Sequence, residues 1–275
     1  MNPAQRRGAI SCKLADGSGM VVSRYGGQVL SWSDAGGREL LYLSELSTGG
    51  EGKPVRGGIP VCFPQFAGRG PLPKHGFARN SVWTQIEQPD ANGQPVHLQL
   101  RADPATLAAW PHRFLLDLRV GFSGSHLSVT LEVKNTDLHA WTFAAALHTY
   151  YRVDALIETA LHGLQGVTYE DGLNAGQRTV ATEATPRLDR SIDRVYRAAP
   201  ETVTLADGAR ELRITQRGFG DTVVWNPGPG GAAGLGDMPA GDERHMLCVE
   251  AAQLGDPVEL QPGGSWRGSQ ETHIR

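Results

Sequence analysis

Cysteine is scarce in this chain: three in 275 residues, Cys12, Cys62 and Cys248, widely spaced and without a C-x-x-C pair. That pattern argues against a disulfide framework or a thiolate zinc site, and it fits a reducing cytoplasm. Long apolar runs are missing as well. Nothing approaches the roughly 20 apolar residues that span a bilayer as a helix, and the opening M-N-P-A-Q-R-R-G-A-I lacks the apolar core of a secretory leader. Neither sign of charge dominates. With 26 basic and 29 acidic residues and a net charge of -3, no global positive field exists to hold a nucleic acid. Heptads, internal repeats, Gly-rich phosphate motifs, the G-x-S-x-G elbow and cysteine-nucleophile signatures are absent too. The nine histidines form no H-x-H, H-E-x-x-H or other cluster of ligand spacing, so no metal is expected. These absences describe a soluble cytoplasmic protein with no cofactor and no membrane or nucleic-acid partner. Nothing in the pattern suggests a coiled coil or a swapped arm, and a monomer is expected.

Glycine and proline are plentiful, at 35 and 17 residues, which favours a turn-rich chain. In F-L-L-D-L-R-V-G-F, Phe114, Leu116, Leu118, Val120 and Phe122 share one face; after S-G-S, Leu127, Val129, Leu131 and Val133 do the same. Two alternating runs across a short turn predict a hairpin. A second hairpin is predicted over 201–216, through A-D-G-A-R. One short helix reads clearly, with Asp103 as cap, Pro104 in its first turn and Pro111 beyond its end. Strand patterns run from end to end without a compositional break, so an all-β fold is expected: one antiparallel β-sandwich domain over residues 1–275. Residues 227–242, almost pure Gly, Ala and Pro, read as a flexible surface excursion.

Two ionisable residues stand out because their neighbours read as buried strand. His148 lies in W-T-F-A-A-A-L-H-T-Y-Y, on one face with Ala144, Ala146 and Tyr150 of a strand predicted over 142–151. Glu250 lies in M-L-C-V-E-A-A, on one face with Met246 and Cys248. Buried titratable groups are paired, neutralised or retained for chemistry, and a His with a carboxylate makes an acid/base pair. The bland alternatives are an inert, satisfied core histidine and a Glu–Arg ion pair.

The rigid loop V-R-G-G-I-P-V-C-F-P-Q-F, with L-P-K-H-G-F-A-R-N after it, supplies Arg56, Lys74 and Arg79, donors suited to a phosphate or sulfate. Its adjacent glycines permit positive φ and close approach of a ligand. The alternative is a solvated basic loop. His75 would orient a sugar hydroxyl or cap a turn. Trp225 offers a face for pyranose stacking and Asn226 an amide for hydroxyls, although a core Trp and an N-P turn are the commoner uses. Asp193 would accept from a substrate hydroxyl, or pair on the surface with Arg194 or Arg197.

The strings R-G-G-I-P-V-C-F-P (56–64), H-G-F-A-R-N (75–80), W-P-H-R-F (110–114), A-L-H-T-Y-Y (146–151), D-R-V-Y (193–196), V-W-N-P (224–227) and C-V-E-A (248–251) occur in this order. Together they resemble the hexose-6-phosphate mutarotases, a branch of the aldose 1-epimerase family. The resemblance implies a large antiparallel β-sandwich that needs no cofactor, with a small-molecule sugar phosphate as partner. It implies His148 as general acid, Glu250 as general base, Arg56 and Arg79 as phosphate-binding residues, Asp193 as a substrate contact and His75 as support for the sugar site. Lys74 occupies a position that varies in the family. Gln65 stands where an aromatic or apolar residue is commoner, which would alter sugar-ring packing, and residues 228–236 replace a more helical, charged stretch. The implied chemistry is ring opening and closure: Glu250 takes the C1 hydroxyl proton and protonated His148 gives one to the ring oxygen, from roughly opposite sides of the anomeric centre. A nearby carboxylate is expected to help keep His148 protonated near neutral pH, opposing the effect of burial. Three functions stay open: a hexose 6-phosphate mutarotase, a mutarotase of neutral aldoses, and a non-catalytic carbohydrate-binding sandwich.

Overall fold

The structure, a computed structural model, describes residues 8–50, 52–87 and 95–275; most of the N-terminal stretch examined for a leader lies outside these. Two eight-stranded antiparallel sheets and a three-stranded sheet account for the architecture, and the one α-helix among the described residues is the short segment Pro104–Ala109. The expected all-β sandwich is what forms. Asp103 caps that helix by accepting from the Thr106 N–H.

Both predicted hairpins are present. Phe114–Phe122 pairs with His126–Asn135, and Thr202–Asp207 pairs with Arg210–Arg217. Leu116, Leu118, Val120, Leu127, Val129, Leu131 and Val133 are all buried in the main core, so alternation in sequence marks strands with one solvated face. The other large sheet is covered on both sides. Along Met246–Leu260, Leu247, Val249 and Ala251 face the main core, whereas Met246, Cys248 and Ala252 belong to apolar clusters on the opposite face. This double burial explains why M-L-C-V-E-A-A shows no alternation.

The sheets are tied by buried side-chain hydrogen bonds. Thr149 donates to Gln270, Gln270 donates to the Val249 carbonyl, and the Tyr151 and Thr272 hydroxyls meet at 2.7 Å. The run read as one strand over 142–151 is in fact two, Trp141–Leu147 and Tyr150–Arg152. They are separated at His148–Thr149, where the Thr149 N–H turns back to the Leu147 carbonyl.

The segment 227–242 is not the free excursion that its composition suggests. Ala232 and Met238 are buried against Tyr42, Tyr150 and Met246. The buried Glu243 carboxylate accepts from the Gly230 and Gly241 N–H groups, stapling both ends of the segment.

Candidate active site

The register of the doubly covered sheet assembles the site. Asp193 lies opposite Trp225, Trp225 opposite Cys248, and Cys248 opposite Tyr150. In the adjacent row Val195 faces Val223, and Val223 faces Glu250. Side chains two apart share a face, so these rows build one floor away from the main core. Over it lies a cavity of about 130 Å³ that opens to solvent. Arg56, Lys74, His75, Arg79, His148, Asp193, Trp225 and Glu250 all line it.

Asn226 does not. Its amide donates to the Glu243 and Met246 carbonyls and its oxygen accepts from the Gly228 N–H. The residue is structural because the strand alternation that points Trp225 into the pocket turns Asn226 to the other side.

At the floor, Nδ1 of His148 lies 3.2 Å from Oε1 of Glu250, and the two residues are 7% and 1% exposed. The contact is close but not aligned as a hydrogen bond. His148 Nδ1 and both Glu250 oxygens are buried without a hydrogen-bond partner. Three orphaned polar atoms at one spot are costly, and all three belong to residues facing the cavity. Neither a fully hydrogen-bonded histidine nor a Glu–Arg pair forms here. Burial pushes the Glu250 carboxyl well above its ordinary range, with the Asp193 charge adding to the effect. Burial likewise pushes the His148 imidazole well below its ordinary range, with His75, Arg79 and Arg56 contributing. Burial thus works against the charged form of His148, opposing the help expected from the nearby carboxylate. Tyr150 stacks on the His148 ring, with centroids 4.8 Å apart and planes 7° from parallel.

One wall is cationic. Arg56 donates from Nε to Asp237 at 2.6 Å and from an Nη to the Tyr150 hydroxyl at 3.3 Å. Arg79 donates to the Lys74 carbonyl at 2.8 Å, while its Nε is buried without a partner. Among the described residues, neither Arg79 nor Lys74 forms an ion pair. Gly57 and Gly58 do adopt positive φ, but what approaches them is backbone: a Cβ on Gly58 would stand 2.0 Å from the Val29 carbonyl oxygen. They press the loop onto neighbouring strands rather than onto a ligand.

His75 sits in the left-handed region at φ 67°. Its Nδ1 accepts from the Ala67 N–H and lies 3.3 Å from Cys62 Sγ, so the neutral ring carries its proton on Nε2. Burial, with Arg79, Lys74 and Arg56 nearby, pushes this histidine down to about 3. Asp193 escapes the surface pairing: Arg194 pairs with Glu183 and Arg197 with Asp221. Gly172 leaves it room, since a Cβ there would stand 2.7 Å from the carboxylate. Burial raises the Asp193 pKa, Lys74 opposing and Asp171 adding.

Gln65 turns into its own loop, donating to the Ala67 and Leu72 carbonyls and accepting from the Leu72 N–H. It shapes the loop and does not line the pocket. Sequence reading missed Phe66, Val223 and Asp237. Their apolar or loop settings gave no signal without the strand register.

The aldose 1-epimerase family model matches residues 9–273. The chain belongs to the aldose 1-epimerase family. A relative in this family from Cenchrus ciliaris, provisionally named glucose-6-phosphate 1-epimerase, is 38% identical over 255 residues, covering 89% of this chain and 78% of its own length. One of the same provisional name from Escherichia coli K12 is 34% identical, covering 86% and 80%. A crystal structure of a protein from Salmonella typhimurium, provisionally described as a mutarotase, superposes with a TM-score of 0.84 at 28% identity, covering 94% and 87%. Aldose 1-epimerases are isomerases, and this chain is a mutarotase-type enzyme on the fold that carries that chemistry.

Proposed function

We propose that the protein interconverts the α and β anomers of a hexose 6-phosphate, glucose 6-phosphate first among them. The observation that carries this is the buried, unsatisfied His148–Glu250 pair facing a pocket with a cationic wall. The relatives' names add support for the substrate.

In this reading the Glu250 carboxylate removes the C1 hydroxyl proton as C1–O1 becomes a carbonyl, the C1–O5 bond breaks, and His148 protonates O5. Rotation about C1–C2 and the reverse proton flow close the ring on the other face. The acid and base lie side by side rather than on opposite sides of the anomeric centre. That placement suits the reaction, because O1 and O5 hang from one carbon. Desolvation makes Glu250 a stronger base and protonated His148 a stronger acid, and it favours the state with the proton on Glu250 that follows ring opening. Each group contributes on the order of 10²–10⁴ in rate when placed within hydrogen-bond reach.

Arg56, Arg79 and Lys74 would hold the phosphate as a remote anchor that orients the ring. Trp225 would stack on the sugar, and Asp193 and His75 Nε2–H would hold hydroxyls. The whole chain acts here as one domain and as a monomer. Its unpaired cysteines suit the cytoplasm.

The test is NMR exchange spectroscopy on equilibrium mixtures of glucose 6-phosphate and of glucose, each with an enzyme-free blank. Acceleration confined to the phosphate supports the reading. Equal acceleration of both sugars removes the phosphate anchor, and acceleration of neither leaves a carbohydrate-binding sandwich.

A further inference from the structure

The fold brings together donors that linear spacing hides. Cys248 and Glu250 sit two apart on one face of the same strand, and His148 joins them from the bend before Tyr150–Arg152. One donor atom from each of these three buried residues lies within 4.8 Å of the other two. The His148 and Glu250 atoms have no hydrogen-bond partner, and Cys248 is a free, fully buried thiol.

We propose that His148, Cys248 and Glu250 form a binding site for a thiophilic divalent cation, with Zn²⁺ as its type, whose occupancy shuts down the pocket. The donor set is the imidazole, thiolate and carboxylate that zinc takes, three protein ligands with a fourth position left to the cavity. Zinc at about 2.0–2.3 Å from each ligand places tetrahedral neighbours about 3.3–3.8 Å apart. The His148–Glu250 separation of 3.2 Å is already there, and a bound of 4.8 Å leaves the thiol within a rotamer adjustment. Hard, oxygen-seeking cations such as Mg²⁺ have no reason to choose a thiol.

Binding displaces protons: the Cys248 S–H proton, and any proton held by Glu250, leave to solvent as the metal bonds form. Affinity therefore tightens as pH rises. Metal binding does not depend on the mutarotase reading. The loss of activity does rest on it, because the metal would occupy the base carboxylate and a nitrogen of the acid.

The experiment uses the full chain stripped of metal and titrated with CoCl₂. A thiolate-to-cobalt charge-transfer band in the near ultraviolet, with visible bands of a four-coordinate ion, is expected in the wild type. Both should be absent from Cys248→Ser and present in Cys12→Ser. In the exchange assay, Zn²⁺ should inhibit the wild type, and Cys248→Ser should need at least tenfold more Zn²⁺ for the same fractional loss of its own turnover. Should Cys248→Ser not fold, Cys248→Ala and His148→Asn give the same spectral comparison. No thiolate band at millimolar cobalt, or a band that survives loss of Cys248, overturns the site. A band in a protein that accelerates neither sugar keeps this site and rejects the proposed reaction.

Discussion

Asp237 clasps Arg56 through Nε at 2.6 Å, so a guanidinium that lines the pocket is already partly neutralised before any anion arrives. Arg56 therefore offers the cavity its Nη groups, one of them held by the Tyr150 hydroxyl. Asp237→Asn keeps an acceptor for Nε and removes the charge that would repel a phosphate. The expected result is a two- to tenfold lower KM for hexose 6-phosphate, roughly 0.4–1.4 kcal/mol, with no change for free glucose. An unchanged KM would mean that Asp237 does not sense the anion.

Arg56→Ala removes the proposed anchor itself. Hydrogen bonds to charged groups are worth about 1.5–3 kcal/mol, so kcat/KM for hexose 6-phosphate should fall roughly ten- to hundredfold, with free glucose spared. Steady-state exchange rates on both sugars decide this, and equal losses would make the residue structural.

Glu250→Gln should cost on the order of 10²–10⁴ in exchange rate while the circular dichroism spectrum stays native. Stability should move the other way. The folded-state pKa of Glu250 is raised, so its contribution is fully present below the ordinary carboxylate pKa and is lost as pH climbs through the folded value. Gln cannot ionise, and the variant should melt higher than wild type at pH 8 and no higher at pH 4. Appreciable turnover in the variant would remove Glu250 from the role of base.

His75 sets an acid limit. Its folded pKa is depressed from 6.5 to about 3, so its contribution to stability is present above pH 6.5 and is lost as pH falls toward about 3, at up to about 1.4 kcal/mol per pH unit. His148, also depressed, acts in the same direction. His75→Asn should flatten the fall in Tm between pH 6 and pH 4, read by calorimetry. A wild-type slope in that variant would contradict the assignment.

Glu243→Ala cuts the staple on the 227–242 segment. Loss of a buried carboxylate that serves two backbone N–H groups should cost about 1–3 kcal/mol. It should open the segment to limited proteolysis. Resistance equal to wild type would show that Ala232 and Met238 hold it unaided.

Much of this could be read directly from residue order. The hairpin of Phe114–Phe122 and His126–Asn135 is legible because one face of each strand is wet, and His148 and Glu250 are legible because the residues around them are mostly apolar. Other features could not be read. That Cys248 lies beside His148 depends on a cross-sheet register and on the bend at Thr149, neither of which leaves a local mark. The inward turn of Asn226 follows from alternation only once the face of Trp225 is known. In 227–242 the low-complexity composition conceals two buried anchors, Ala232 and Met238, and the carboxylate of Asp237, because small residues look alike in a tight packing and in a loose tail.

The division of labour between sheet and loops has an evolutionary consequence. Glu250 hangs from the middle of a sheet and His148 from the bend beside it, both braced against the partner sheet through Thr149, Gln270 and Val249, whereas Arg56, Lys74, Arg79 and Asp237 lie outside the strands. On the proposed mechanism, exchange of the loops would change the recognised substituent without re-tooling the reacting centre. Specificity becomes a removable attachment on a durable handle.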